Sequence, residues 1–277
     1  MLYLLQELFI NNWRVLRVFK SIMLRASVAF MIGFLFMLIL GKPFIAWLKK
    51  KKYGDTAREE GPKSHFDKSG TPTMGGLLII GAILFATAIA GNFTNKFIVF
   101  LFIITILFTT IGFYDDYLKL TRHKSGLSGK KKILGQLIIT ALTFLFVYKF
   151  GLVNKTVDFS IVNPLFKNSY LYITPILFFI FMGFVIIGSS NAVNLTDGLD
   201  GLVSGPIIVV SITLLIITYL TGHHNYAKYL NLYHIPEVSE ITVYLASVIG
   251  ALIGFLWYNF YPAQVFMGDT GSLTLGG

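Results

Sequence analysis

The sequence predicts an all-α protein, a polytopic bundle of transmembrane helices. Its composition is 55% hydrophobic with a mean hydropathy of +0.72, and only 13% of residues are charged, against about 25% in soluble domains. Seven apolar runs are each close to the ~20 residues that cross a bilayer. Acidic and basic residues gather between these runs. The chain has no cysteine, which excludes disulfide and thiolate chemistry.

The apolar runs set the order of the predicted elements. Residues 1–25 mix apolar and basic residues and predict an interfacial segment ahead of the first span. The predicted spans are 26–47, 74–90, 96–114, 133–150, 171–188, 202–220 and 241–258. The start of an eighth follows at Ser272, and the sequence stops within it. We therefore expect residues 1–277 to form one integral-membrane domain that is truncated at its C-terminus.

The basic residues predict the orientation of the bundle. Segments 48–73 and 115–132 share a side if spans alternate, and they hold thirteen of the 23 Lys and Arg residues. The positive-inside rule places both in the cytoplasm, together with 189–201 and 259–271. The net charge of +10 therefore reflects membrane orientation, and no nucleic-acid partner is predicted. Nine of the 13 acidic residues fall on the same side, which topology does not explain because acids contribute little to it.

Asp115 and Asp116 end the third apolar run. Adjacent carboxylates repel unless a cation or a base lies between them, and hard oxygen ligands suit Mg²⁺ that is shared with substrate phosphates. Lys119, four residues after Asp115, lies on the same face if the helix continues. The alternative is a solvated helix end without chemistry.

Segment 191–201, NAVNLTDGLDG, places two acids and two asparagines between apolar spans. Asp197 and Asp200 are three residues apart and share a face if the segment is helical. Asn194 adds an amide that donates and accepts hydrogen bonds. The alternative is a polar turn in which an aspartate caps the next helix.

Three further segments are candidates. Asp269 lies in FMGDTGS at the start of the eighth helix, where backbone amides either receive a cap or bind an anion. Segments 68–76 and 125–132 are glycine-rich and basic, but neither fits the phosphate-loop pattern GxxxxGK[ST], so no nucleotide hydrolase is predicted. Asn259 directly follows a predicted span on the same side.

The one-sided clustering favours an enzyme that uses a metal and a phosphate-bearing substrate. A secondary transporter is the alternative from another class, since intramembrane acids often mark ion paths. A transporter predicts charges at mid-span and broken helices in matched halves, whereas these acids lie at span ends. A membrane scaffold explains the spans but not the acids.

Five motifs carry a resemblance to a known family. They are GTPTMGG (70–76), FYDDYLK (113–119), SGLSGKKKILGQ (125–136), NAVNLTDGLDGL (191–202) and FMGDTGSL (266–273). In this order they resemble the polyprenyl-phosphate N-acetylhexosamine-1-phosphate transferase superfamily. The first and third narrow the resemblance to the phospho-N-acetylmuramoyl-pentapeptide-transferase family.

The resemblance implies a ten-span enzyme of the bacterial inner (cytoplasmic) membrane, usually a homodimer, with its active site on the cytoplasmic face. It implies Mg²⁺-dependent transfer of phospho-MurNAc-pentapeptide from UDP-MurNAc-pentapeptide to undecaprenyl phosphate, giving lipid I and UMP. This step belongs to peptidoglycan synthesis, and so to cell wall biogenesis, cell shape and cell division. A transferase that uses UDP-GlcNAc stays open as an alternative. The family also has a later histidine-rich motif that this sequence does not reach, so we expect the 277-residue chain alone to be inactive or impaired.

The resemblance also implies roles for individual residues. Asp115, Asp116 and Asp269 are implied as catalytic, with Asp269 as the Mg²⁺ ligand and one member of the pair deprotonating or orienting the lipid phosphate. The implied substrate-binding residues are Lys68, Thr73, Lys119, Lys131, Asn194, Asp197, Asp200, Asn259 and Phe266. Direct attack by the lipid phosphate and a two-step route through an aspartyl-phosphate both stay open.

Overall fold

The structure, a computed structural model, describes residues 1–3, 14–51, 71–121, 126–149, 160–162 and 170–277. A 3-10 helix, Arg14–Lys20, precedes the first long helix, and a second, Pro236–Glu240, precedes α8. The α-helices are α1 Ile22–Lys50, α2 Gly76–Ala90, α3 Lys96–Thr121, α4 Gly129–Lys149, α5 Pro175–Thr196, α6 Ser204–Gly222, α7 His224–Tyr229, α8 Ile241–Asn259 and α9 Gly268–Gly276. Strands β1 Ser160–Val162 and β2 Tyr170–Tyr172 form an antiparallel pair between α4 and α5, with Ser160 opposite Tyr172.

The predicted transmembrane bundle is confirmed. Among the residues that the structure describes, six helices are long and apolar enough to cross a membrane, and α2 is a shorter apolar helix at the position of the second predicted span. Apolar side chains face outward along them: Phe184 on α5, for example, is 78% exposed. Large apolar residues at such positions are suited to lipid contact, so the chain is a multi-pass membrane protein.

The helix ends differ from the predicted spans in a way that matters for function. Helix α3 runs to Thr121, past the predicted end at 114, and α5 runs to Thr196, past 188. Helix α9 begins at Gly268, before the predicted start at Ser272. Hydropathy detects where lipid contact stops, but a helix continues as long as its backbone bonds are satisfied. Each extension therefore carries polar candidate residues on regular helix.

The fifth predicted span was placed too early. Residues 170–172 form strand β2, and α5 begins only at Pro175. Pro175 suits the first helical position because its missing N–H has no helical partner there. The Thr174 side chain caps the helix by accepting a bond from the Leu177 N–H at 3.3 Å.

Helix α8 is the centre of the bundle. Within its span 72% of the residues are buried, far more than in any other candidate span of the described chain. Helix α1 crosses it at small residues: a methyl group added to Gly33 would lie 2.8 Å from the Ser247 carbonyl oxygen, and one added to Gly250 would overlap the Phe30 carbonyl. Small residues allow this close backbone approach, which membrane helices use because lipid supplies no hydrophobic drive for helix association.

Polar residues collect at the two ends of the bundle. At one end Arg25, 1% exposed, pairs with Glu240 and also donates to the Ala90 carbonyl at 3.3 Å. This contact ties the start of α1 to the end of α2 and the start of α8. The opposite end holds the C-termini of α3 and α5 and the N-termini of α4 and α9, and there the candidate site lies.

Candidate active site

Three carboxylates form the centre of the site. Asp115 and Asp116 come from the last turns of α3, and Asp269 comes from the first turn of α9. One oxygen from each lies within 4.8 Å of the others. Asp115 is 0% and Asp116 3% exposed. Buried carboxylates this close need cations or hydrogen-bond donors to remain charged.

Two lysines supply positive charge to this centre. Lys119 Nζ lies 2.7 Å from Asp115 Oδ2 and 2.9 Å from Asp269 Oδ2. Lys132 Nζ, from the first turn of α4, lies 2.7 Å from Asp269 Oδ2 and 3.2 Å from Asp115 Oδ2. The two ammonium groups therefore bridge the same two carboxylates. Both lysines have partly exposed side chains, so they are available to an anionic ligand that approaches from solvent.

Lys132 was not among the predicted site residues, although its neighbour Lys131 was. Lys131 is exposed on the same helical turn, and its binding role stays a prediction. Lys132, Gln136 and Thr140 are spaced four apart and form the inward face of α4, where Gln136 and Thr140 are fully buried. That spacing is the signal that singles out Lys132 within the run of three lysines.

Asp116 accepts hydrogen bonds from the start of α9. The donors are the Asp269 N–H at 3.1 Å, the Thr270 N–H at 2.9 Å and the Thr270 hydroxyl at 2.6 Å. Asp115 instead accepts the Leu127 N–H at 2.6 Å, besides its two lysine contacts. The two adjacent aspartates thus face different groups. Thr270, which the sequence reasoning missed, lies inside this network.

Asn194 connects α5 to α9. Its side-chain amide donates to Asp269 Oδ1 at 2.9 Å and to Ser272 Oγ at 2.8 Å. The structure therefore brings Asn194 to the carboxylate centre, and its effect there is to hold Asp269 Oδ1 while the lysines hold Oδ2.

Asp197 follows the last residue of α5 and faces the same centre. Burial raises its pKa to about 7, and the charges of Asp269 and Asp116 act in the same direction, against a hydrogen bond from the Gly268 backbone. In the protein without ligand its carboxyl therefore carries a proton over much of the range up to neutral pH.

This raised pKa predicts a pH-dependent gain of stability for Asp197→Asn. In the unfolded chain the Asp197 carboxyl has the ordinary pKa of 3.8, and in the folded chain its pKa is about 7, so the wild type loses stability as the pH rises between these values. The neutral asparagine does not. We expect the melting temperature of the variant in detergent to exceed that of the wild type by about 10 °C at pH 8, with a difference about a third as large at pH 5. A constant difference across this range would contradict the assigned pKa.

Two predicted residues contact the backbone of the α8–α9 connection. Asp200 accepts the Ala263 N–H at 3.1 Å. Asn259 is 3% exposed, accepts the Gly201 N–H at 3.0 Å and donates to the Val265 carbonyl at 2.9 Å. These contacts attach the connection to the α5–α6 turn. Substrate contacts of Asp200 and Asn259 stay predictions.

The connection also pairs with the segment before α2. The Phe266 N–H donates to the Pro72 carbonyl at 2.9 Å, and the Gly75 N–H donates to the Phe266 carbonyl at 2.8 Å. This pairing brings Thr73 beside Gly268, the residue that opens α9 with a φ of +75°. Thr73 and Phe266 therefore border the site. Lys68 lies outside the described residues.

The donor set fits a hard divalent cation. Carboxylate oxygens are the ligands that Mg²⁺ prefers, and it usually takes one or two carboxylates together with substrate phosphates. Asp115 and Asp269 present oxygens that contact ammonium groups and single amide donors. Exchange of those ammonium contacts for a cation leaves the lysines free to bind phosphate oxygens, so the centre is suited to metal-assisted phosphoryl transfer.

Comparison with known proteins gives two matches to family descriptions. Residues 97–277 match the family described as glycosyl transferase family 4. Residues 68–80 match the description "phospho-N-acetylmuramoyl-pentapeptide-transferase signature 1". The second match covers the segment that packs against the start of α9.

Curated relatives match all or nearly all of this chain. A phospho-N-acetylmuramoyl-pentapeptide-transferase from Fusobacterium nucleatum is 48% identical over 100% of this chain and 76% of its own length. One from Thermodesulfovibrio yellowstonii is 45% identical over 95% of this chain and 72% of its own. One from Francisella tularensis is 41% identical over 100% and 76%.

Proposed function

Because this chain belongs to the phospho-N-acetylmuramoyl-pentapeptide-transferase family, within glycosyl transferase family 4, we propose that it joins phospho-MurNAc-pentapeptide to undecaprenyl phosphate. The donor is UDP-MurNAc-pentapeptide, and the products are lipid I and UMP. The observation that carries the proposal is the centre in which Lys119 and Lys132 bridge Asp115 and Asp269.

The reaction brings like charges together. An oxygen of the lipid phosphate attacks the β-phosphorus of the donor pyrophosphate, and UMP leaves. Phosphoryl transfer of this kind depends mainly on positioning and on electrostatic stabilisation of the transferring group. Mg²⁺, held by Asp269 and Asp115, would supply positive charge to the pyrophosphate.

The chain's own residues supply the remaining positive charge and the alignment. We assign Lys119 and Lys132 to phosphate oxygens, since each already lies within 3.2 Å of the carboxylates that would hold the metal. Asn194 fixes Asp269 through its 2.9 Å bond. Asp115, next to the lysines, is the group of the pair that is placed to orient or deprotonate the lipid phosphate.

The cytoplasmic face is the proposed location of the site. The Lys130–Lys132 run and the Lys49–Lys51 run lie at the helix ends that share this side of the bundle, as the positive-inside rule requires. The nucleotide donor is water-soluble and the acceptor is a lipid, so a site at a helix end serves both. Homodimer formation is proposed from the family resemblance.

Mg²⁺-dependent release of UMP tests the proposal. The 277-residue chain and a natural full-length version, each purified in detergent, receive undecaprenyl phosphate and UDP-MurNAc-pentapeptide, and we expect UMP and lipid I to appear together in at least the full-length version. Lys132→Ala should lower kcat by about a hundred-fold, because one charge aimed at the transferring group is lost. Lys130→Ala, an equal change on the exposed surface of the same helix turn, should retain activity.

The alternative donor gives the decisive contrast. Incorporation from UDP-GlcNAc but not from UDP-MurNAc-pentapeptide would contradict the proposed substrate. Equal losses of kcat in Lys132→Ala and Lys130→Ala would contradict the proposed site, even if the proposed substrate is correct.

A further inference from the structure

We propose that Asp116 is a positioning residue: it caps the first turn of α9 and thereby sets the position of Asp269, and it does not itself contact the reacting groups. The inference rests on the proposed function and assigns different roles to the two adjacent aspartates. It replaces the expectation that both members of the pair are catalytic.

The Asp116 carboxylate accepts hydrogen bonds from the N-terminus of α9. The first amides of any helix lack helical acceptors, and α9 has no side-chain cap of its own, since Met267 at the cap position makes no such bond. Asp116 supplies the cap from α3, 154 positions away in the sequence. Its two oxygens receive two N–H groups and the Thr270 hydroxyl.

Helices α3 and α9 pack closely at this point. One helical turn before Asp116, a methyl group added to Gly112 would lie 2.6 Å from Thr270 Cα and would overlap the Asp269 carbonyl. A methyl group added to Gly268 would lie 2.8 Å from Asp116 Oδ2. The first turn of α9 is therefore held directly against α3, and only the absence of side chains at both glycines allows this contact.

Asp115 and Asp116 have different kinds of partner. Asp115 contacts the ammonium groups of Lys119 and Lys132, which can move to a ligand, whereas Asp116 is 3% exposed and contacts backbone amides that cannot. A general base must lie within hydrogen-bond reach of the proton that it takes. Movement of Asp116 toward substrate would leave the amides of α9 unpaired, at a cost that a charged acceptor makes larger.

Hydrogen exchange in the ligand-free protein tests the cap without any turnover. Asp116→Asn keeps the shape of the side chain but turns one acceptor oxygen into a donor. We expect the amides of Asp269 and Thr270 to exchange about ten-fold faster in this variant, because the lost bonds were to a charged group. Asp115→Asn is the matched control on the adjacent residue and should leave their exchange unchanged. Unchanged exchange in Asp116→Asn would overturn the inference.

Thr270 allows the same role to be tested in the active enzyme. Thr270→Val removes only the hydroxyl donor, so it should raise the Mg²⁺ concentration needed for half-maximal activity about five- to ten-fold with a smaller effect on kcat. Thr270→Ser should restore the wild-type value. The double variant with Asp116→Asn should be no worse than Asp116→Asn alone, because both act through one network.

Binding of Mn²⁺, followed by electron paramagnetic resonance, separates the inference from the proposed function. Similar weakening of Mn²⁺ binding in Asp116→Asn and Thr270→Val supports the positioning role of Asp116. Loss of binding in Asp116→Asn with wild-type binding in Thr270→Val would make Asp116 a ligand and overturn it. If Asp116→Asn shows wild-type amide exchange and wild-type Mn²⁺ binding but no turnover, Asp116 would be a base, and this result would also overturn the inference. Absence of turnover in the full-length wild type contradicts the proposed function alone, since the hydrogen-exchange result does not depend on turnover.

Discussion

Asp269→Asn is expected to lower kcat about a hundred- to a thousand-fold with both substrates saturating. Asp269 contacts two charged side chains and one amide: Lys119 at 2.9 Å, Lys132 at 2.7 Å and Asn194 at 2.9 Å. Asparagine can still accept from Asn194 but carries no charge for Mg²⁺ or for the lysines. Loss of one electrostatic group at a phosphoryl-transfer centre costs this much in rate because the barrier depends on charge alignment.

The size of the Asp269 effect is measured by UMP release across a range of Mg²⁺ concentrations. Glu237→Gln is the matched control, since it makes the same chemical change at the opposite end of the bundle, in an exposed pair with Lys96. It should retain activity. Recovery of Asp269→Asn to the wild-type rate at high Mg²⁺ would show that the residue only binds the metal and does not shape the transition state.

Arg25→Ala is expected to destabilise the folded protein by about 3–5 kcal/mol, because it leaves the Glu240 carboxylate buried and unpaired. Arg25 is 1% and Glu240 7% exposed, and their side chains form two hydrogen bonds. The pair joins the starts of α1 and α8, the two helices at the centre of the fold. Unfolding in detergent, followed by circular dichroism against denaturant, measures the loss.

Two companion variants make the Arg25 result interpretable. Lys96→Ala breaks the exposed pair with Glu237, in which the side chains are 33% and 56% exposed, and should cost at most about 1 kcal/mol. Replacement of Arg25 by Met together with Glu240 by Leu should recover most of the stability, since apolar residues of similar volume remove the unpaired charge. A cost for Arg25→Ala no larger than that for Lys96→Ala would contradict the buried pair.

The sequence was sufficient to identify the membrane bundle and the segments that meet at its functional end. Hydropathy is a property of about 20 consecutive residues, so the positions of the spans follow from local composition. Their ends were less certain: α3 and α5 continue as helix through polar residues that lipid does not require. Those extra turns place Asp115, Asp116 and Asn194 on rigid elements, which hydropathy alone does not indicate.

The choice among neighbouring polar residues needed the tertiary structure. Lys131 and Lys132 have the same chemistry, but consecutive residues on a helix point about 100° apart, and only Lys132 is described in contact with Asp115 and Asp269. Asp200 and Asn259 carry groups suited to a substrate, yet their described bonds go to the backbone of the α5–α6 turn and of the connection before α9.

The sequence by itself determined that this protein crosses the membrane several times and that its acids gather at one side, because both depend on local composition and on the order of the spans. Only the tertiary structure decided that Asp116 faces the amides of α9 while Asp115 faces two lysines. The reason is that α9 comes from a segment more than 150 residues away in the chain. The contact between α9 and Gly112 of α3 depends on close packing between helices, which no local sequence pattern encodes.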